Sequence, residues 1–207
     1  MPSRLGFLTV SAATVVVAEA DAVAQTRAAS PYDFAAVAAR LARPARHRQV
    51  FAVARVADGV VTGLMRHALD AYEITRNEGA GALHPAGVFY ARGVVLGLDD
   101  AMWRTYRLTD TARRRGDVLS AGTVSGNPFA REFGDLSRRG ATLLVCDNAL
   151  ADLATFLVAQ GGFNERPIEA VQAELRRHLF PGALLVPAGV AALNDAQEAR
   201  FTYLQAS

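Results

Sequence analysis

Of the 207 residues, one is a cysteine. Cys146 follows the apolar run Ala141 to Val145 and precedes Asp147, Asn148 and a helical pattern. A thiol at a strand-to-helix junction meets the unpaired N–H groups and partial positive charge of a helix N-terminus. Both favour the thiolate, which is the reactive form. Arg92 follows a different apolar run and adds positive charge if it faces the same edge. Asp147 opposes the anion unless its carboxylate turns to cap the helix together with Asn148. With no second cysteine there is neither an internal disulfide nor an internal resolving step, so any thiol exchange must be intermolecular. The plain alternative is a small apolar residue that closes a core strand, since free cysteine is among the most buried residue types.

Other chemistries lack their residues. His47, His67, His84 and His178 have no metal-ligand spacing; His67 and His178 fall on or near helix surfaces. No phosphate-binding loop or G-x-G-x-x-G follows a strand, and there is no G-x-S-x-G elbow. Neither a metal nor a cofactor is expected. All 22 basic residues are arginine against 20 acidic ones, a net charge of +2. That bias reads as codon composition. Arg113 to Arg115 and Arg138-Arg139 lack interleaved aromatics, so no nucleic-acid module is legible in them. They are expected to be solvated loop and helix-end charges.

The elements that must position Cys146 alternate. Hydrophobic residues make up 51% of the chain and charged residues 20%, enough for a real core. Gln49 to Ala54 reads as a strand, followed by a helix capped by Asp58 with Val61, Leu64, Met65, Ala68, Leu69 and Tyr72 on one face. Gly87 to Tyr90 is a second apolar run, with Val94 to Leu96 beyond Arg92-Gly93. A short helix is expected over Leu98 to Tyr106, and a long loop without period from 107 to 128. Met102 and Trp103 are expected in the core. Phe129 to Arg139 reads as a helix and Ala141 to Val145 as a buried strand. Leu150, Leu153, Ala154, Leu157 and Val158 form a helical stripe. A helix after Pro167, a strand from Ala183 to Val186, a helix over Val190 to Glu198 and a strand from Phe201 to Leu204 complete the order.

Such alternation implies right-handed crossovers and a mainly parallel sheet with helices on both faces, a three-layer α/β fold. Ligands of such sheets gather beyond the carboxyl ends of the strands. Arg92-Gly93, Cys146 to Asn148, and Pro187 to Gly189 fall on that edge. The candidate site is therefore Cys146 as the reactive group, with Arg92, Asn148, Pro187 and Gly189 as binding residues.

Residues 1–24 read as an export leader: Arg4, the apolar run Leu5 to Ala18, then the small-x-small pattern at Ala22 to Ala24. The run is too short to span a membrane comfortably. Ser3 to Leu8 is similar to a twin-arginine motif whose second arginine is leucine. An N-terminal helix packed on the domain is the alternative. Residues 25–47 read as a linker with one short helix near Tyr32 to Leu41, and 48–207 as the domain.

Several segments carry a resemblance. Gly140 to Leu150 (GATLLVCDNAL), Phe180 to Val190 (FPGALLVPAGV), Ala196 to Tyr203 (AQEARFTY), Asp99 to Trp103 and Asn127 to Phe129 together resemble exported members of the DsrE/DsrF-like family. The resemblance implies a small three-layer fold that commonly oligomerises, and in some relatives a persulfide carried at the position of Cys146. Two functions are then expected to compete. One is a periplasmic or otherwise exported binding or assembly module, with a small ligand in the strand-end crevice or with other copies of the chain. The other is a sulfur carrier that accepts sulfane sulfur on Cys146 from a donor protein. Asp147 and the leader favour the first.

Overall fold

The apolar runs pair side by side, as strands covered on both faces must. A computed structural model of the chain describes residues 30–120, 122, 125–160 and 162–207. Its strands are β1 (His47–Val53), β2 (Leu83–Phe89), β3 (Thr142–Cys146), β4 (Leu184–Val186) and β5 (Thr202–Gln205). The order across the sheet is β4-β3-β2-β1-β5 and every neighbouring pair is parallel. One row of the register runs Gln205, Ala52, Val88, Leu144, Leu184. All five carboxyl ends therefore share one edge.

Alternation along the strands divides the core in two. Phe51, Val53, Phe89, Leu143 and Val145 meet the larger helical layer, while Val50, Ala52, Ala86, Val88 and Leu144 meet the smaller one. The helices are α1 (Phe34–Leu41), α2 (Val60–Asp70), α3 (Asp100–Thr105), α4 (Leu108–Arg114), α5 (Ala130–Arg138), α6 (Asp147–Gln160), α7 (Ile168–Arg177) and α8 (Gly189–Glu198). Among the described residues, α1 and α8 are the helices that contribute to the smaller layer, through Val37, Leu41, Ala192, Leu193 and Ala196. The result is an α/β fold with a parallel sheet and helices on both faces. Met102 and Trp103 are core residues, and the Trp103 indole donates to the Val95 carbonyl at 3.0 Å. No helix among the described residues is long and apolar enough to cross a membrane. The leader expected over residues 1–24 lies outside the described residues.

The structure departs from the sequence reading at several places. Val94 to Leu96, read as an apolar run with no element assigned, is the middle of a 3-10 segment, Ala91–Gly97, buried from Gly93 to Gly97. A short apolar run with flanking glycines fits either strand or helix, because burial alone sets its composition. Asp58 does not cap α2: it takes φ 52, and its carboxylate accepts from the Ser120 backbone and hydroxyl instead. Gly59, at φ 66, starts the helix without a side-chain cap. The loop expected from 107 to 128 contains α4, whose buried Leu108, Thr109, Thr111 and Ala112 include too few large apolar residues for a visible period. The stretch read as a linker contributes α1 to the core, capped by Asp33, whose Oδ1 accepts from Ala36 N–H at 2.8 Å. Within the basic runs, Arg115 stacks over Phe156 at 5.6 Å and Arg139 binds both Asp70 and Glu73 at 2.8 Å. Neither is a merely solvated charge.

Candidate functional site at the carboxyl edge

Cys146 is the last residue of β3, and α6 begins immediately after it. With no intervening loop, the sulfur lies at the mouth of the first helical turn. Its Sγ accepts the Ala149 N–H at 3.4 Å, the place a serine or aspartate cap would occupy. The residue is 5% exposed.

Pro187 and Gly189 reach the same place from β4. The Asn148 N–H donates to the Pro187 carbonyl at 3.2 Å, tying the start of α6 to the turn after β4. Gly189 then opens α8 pressed against the strand ends. A Cβ there would lie 2.5 Å from Tyr90 Cβ and 3.4 Å from Cys146 Cβ. Only the missing side chain permits the approach. Tyr90 follows β2 and donates its N–H to Val53 at 3.1 Å. Burial first, and Tyr203 beside it second, raise the Tyr90 phenol above its ordinary range.

Asp147, the next residue, is engaged by other side chains. Arg176 binds it with Nε on Oδ1 and Nη2 on Oδ2, both at 2.7 Å. The Tyr32 hydroxyl donates to Oδ2 at 2.7 Å and Gln172 to Oδ1 at 3.2 Å. Burial alone would raise this carboxyl, but the bonds from Arg176, Tyr32 and Gln172 outweigh it and hold it below the usual range. The same bond from Tyr32, with burial next, raises the tyrosine. Asp147 is thus an ionised buried group that pins α7 to α6 rather than a helix cap.

Arg92 does not join Cys146. Its guanidinium donates to the Arg115 carbonyl at 2.8 Å and lies 4.0 Å from Asp117. Arg55 also reaches Asp117, at 3.7 Å. Gly93 brings this segment close to β1, donating to Ala54 at 2.9 Å, where a Cβ would collide with the Val53 carbonyl.

The structure therefore gathers Cys146, Asn148, Pro187 and Gly189 and sends Arg92 elsewhere. Sequence reasoning missed Tyr32, Tyr90, Gln172 and Arg176. The only sequence trace of Arg176 is its place in the last turn of α7, which is also where arginine favours any helix. Chemically, the edge offers a sulfur held by a backbone donor, with the adjacent carboxylate fully engaged by other partners. No group of three or more His, Cys, Asp or Glu side chains among the described residues gathers as a metal site requires.

No protein family and no curated protein matches the chain by sequence. Among solved structures it is similar to the protein of unknown function MTH1491 from Methanobacterium thermoautotrophicum, at 16% identity and a TM-score of 0.44. That match covers 77% of this chain and 98% of the other.

Proposed function

We propose that the chain is an exported, non-catalytic binding or assembly module of DsrE/DsrF-like kind, and that it associates with copies of itself through the outer edge of β5. One observation carries this reading: among the described residues β5 pairs with β1 on one side only, and its Thr202, Tyr203 and Gln205 are exposed. An unpaired strand edge presents a row of N–H and C=O groups to another strand. Tyr203 adds apolar surface to the strand itself, being 46% exposed. The closed state of Cys146 argues in the same direction, since a carrier must present its sulfur to a partner.

A second reading is a persulfide carrier on Cys146, and the Ala149 N–H on its Sγ favours it, because that donor stabilises the anion. Such a carrier would have to open the edge at Gly189 before each transfer.

Light scattering at micromolar concentration tests the assembly. A multiple of the 22.0 kDa chain mass is expected, reverting toward one chain on Tyr203→Lys, since lysine blunts strand edges. A mass of 22.0 kDa at every concentration refutes it. In protein recovered from a native host's cell envelope, mass spectrometry should find the residues up to about Ala24 missing; an intact Met1 counts against export.

A further inference from the structure

At the opposite, amino edge of the sheet a cavity of about 220 Å³ opens, lined by Arg46, His47, Arg48, Tyr72, Arg200 and Thr202 among others, and no carboxylate lines it. The arginines arrive from two segments. Arg46 precedes β1, Arg48 is its second residue, and Arg200 sits between α8 and β5. Their state of engagement differs. Arg46 and the His47 Nε2 both meet Glu78 at 2.9 Å, and the imidazole stacks on Tyr72 with ring centres 4.2 Å apart. Arg48 is braced by two carbonyls, those of Ala199 at 2.8 Å and Arg43 at 3.3 Å, and has no carboxylate partner among the described residues. Arg200 is exposed, and among the described residues its side chain has no hydrogen bond or ion pair.

Arg200 also stands where another residue fits better. It ends α8 at φ 67, with the Phe201 N–H returning to the Ala196 carbonyl at 2.9 Å and its own to Gln197 at 2.9 Å. This is the left-handed closing turn that glycine normally occupies. Arg200 adopts that conformation nonetheless, and it lines the cavity. The cationic field extends inward: after burial, Arg43, Arg48 and Arg40 are what lower the His84 imidazole.

We propose that this cavity is a binding site for a compact soluble polyanion bearing phosphate-like oxyanions, with Arg48 and Arg200 as its principal cationic contacts. The guanidinium fork matches such oxygens in pairs. The volume suits a small anion, being below the roughly 300 Å³ at which drug-sized pockets begin. Arg48 is pre-positioned by its carbonyl braces, while Glu78 orients Arg46 and His47 from outside the lining. This inference is independent of self-association through β5.

Inorganic pyrophosphate is the probe, with calorimetric titration and melting temperature as the readouts. Arg200→Gly separates ligand binding from folding, because it removes a cation while relieving the left-handed turn. The unliganded variant is expected to melt higher than the parent, and yet to bind pyrophosphate at least about ten-fold more weakly, as loss of a charge-assisted contact requires. Saturable binding by the parent that matched sodium chloride fails to mimic supports the site. Equal pyrophosphate affinity in parent and variant overturns it, as does no saturable binding by the parent. Binding only to vesicles containing phosphatidylglycerol, with none to pyrophosphate, also overturns it, since the ligand is then a membrane surface.

Discussion

Two buried polar residues in this fold meet opposite fates. Asp147 keeps its charge because four bonds from Arg176, Tyr32 and Gln172 replace water. His84 gives its charge up. It is fully buried, its Nε2 meets the Thr142 hydroxyl at 2.9 Å, and burial together with nearby arginines lowers its pKa from 6.5 to about 4. The unfolded chain therefore binds a proton between those values that the folded chain refuses. Stability is complete above pH 6.5 and falls as the pH drops toward 4, by at most about 3 kcal/mol. Urea midpoints at pH 7 and pH 4.5 measure this, and His84→Asn should flatten the difference. An unchanged slope in that variant would assign the acid sensitivity to the carboxylates instead. Neither fate is legible in sequence. Asp147 looks like a helix cap, and its partners stand at 32, 172 and 176. His84 looks like one more unplaced histidine, because only the fold brings Thr142 and the arginines to it.

Elements were more legible than residues, for physical reasons. The apolar halves of β1 and β2 and all of β3 are buried, so their composition announces them, whereas His47-Arg48 and the His84-Pro85 half of β2 do not read as strand; Leu150 to Leu157 has a helix period because one face of α6 meets the core. Ala91–Gly97 escaped because a segment buried all round has no period, and α4 because its inner face is partly threonine. The position of Asn148, Pro187 and Gly189 beside Cys146 was readable from topology, since every strand end in a parallel sheet leads to one edge. Arg92 was not, because the first turn of the 3-10 segment directs it toward Asp117. The contact of α8 with β2 and β3 depends on one atom's absence. Gly189→Ala sets a Cβ 2.5 Å from a tyrosine Cβ that cannot rotate away. It should destabilise by about 1–3 kcal/mol and lift α8 from the strand ends. Iodoacetamide should then label Cys146 faster than in the parent, where the residue is 5% exposed. A variant that is equally stable and labels no faster would mean that something other than α8 shields the sulfur.

Among the described residues the two layers on the sheet are unequal. The larger layer holds Phe51, Phe89, Trp103, Tyr106, Phe133 and Phe180 at its core, whereas Phe201 is the one aromatic in the buried cluster of the smaller. Apolar area sets how much free energy each layer contributes, so the two cannot be equally hard to open. In hydrogen–deuterium exchange the amides of α1 and α8 should exchange well before those of α6 and β3, through an excursion that leaves the larger layer closed. Uniform protection across both layers would contradict this. Because Arg200 closes α8 and Thr202 begins β5, the layer expected to breathe carries one wall of the arginine-lined cavity and leads directly into the edge strand. An anion held there would slow that breathing, so occupancy at one end of the sheet would be felt as rigidity along the edge proposed for self-association.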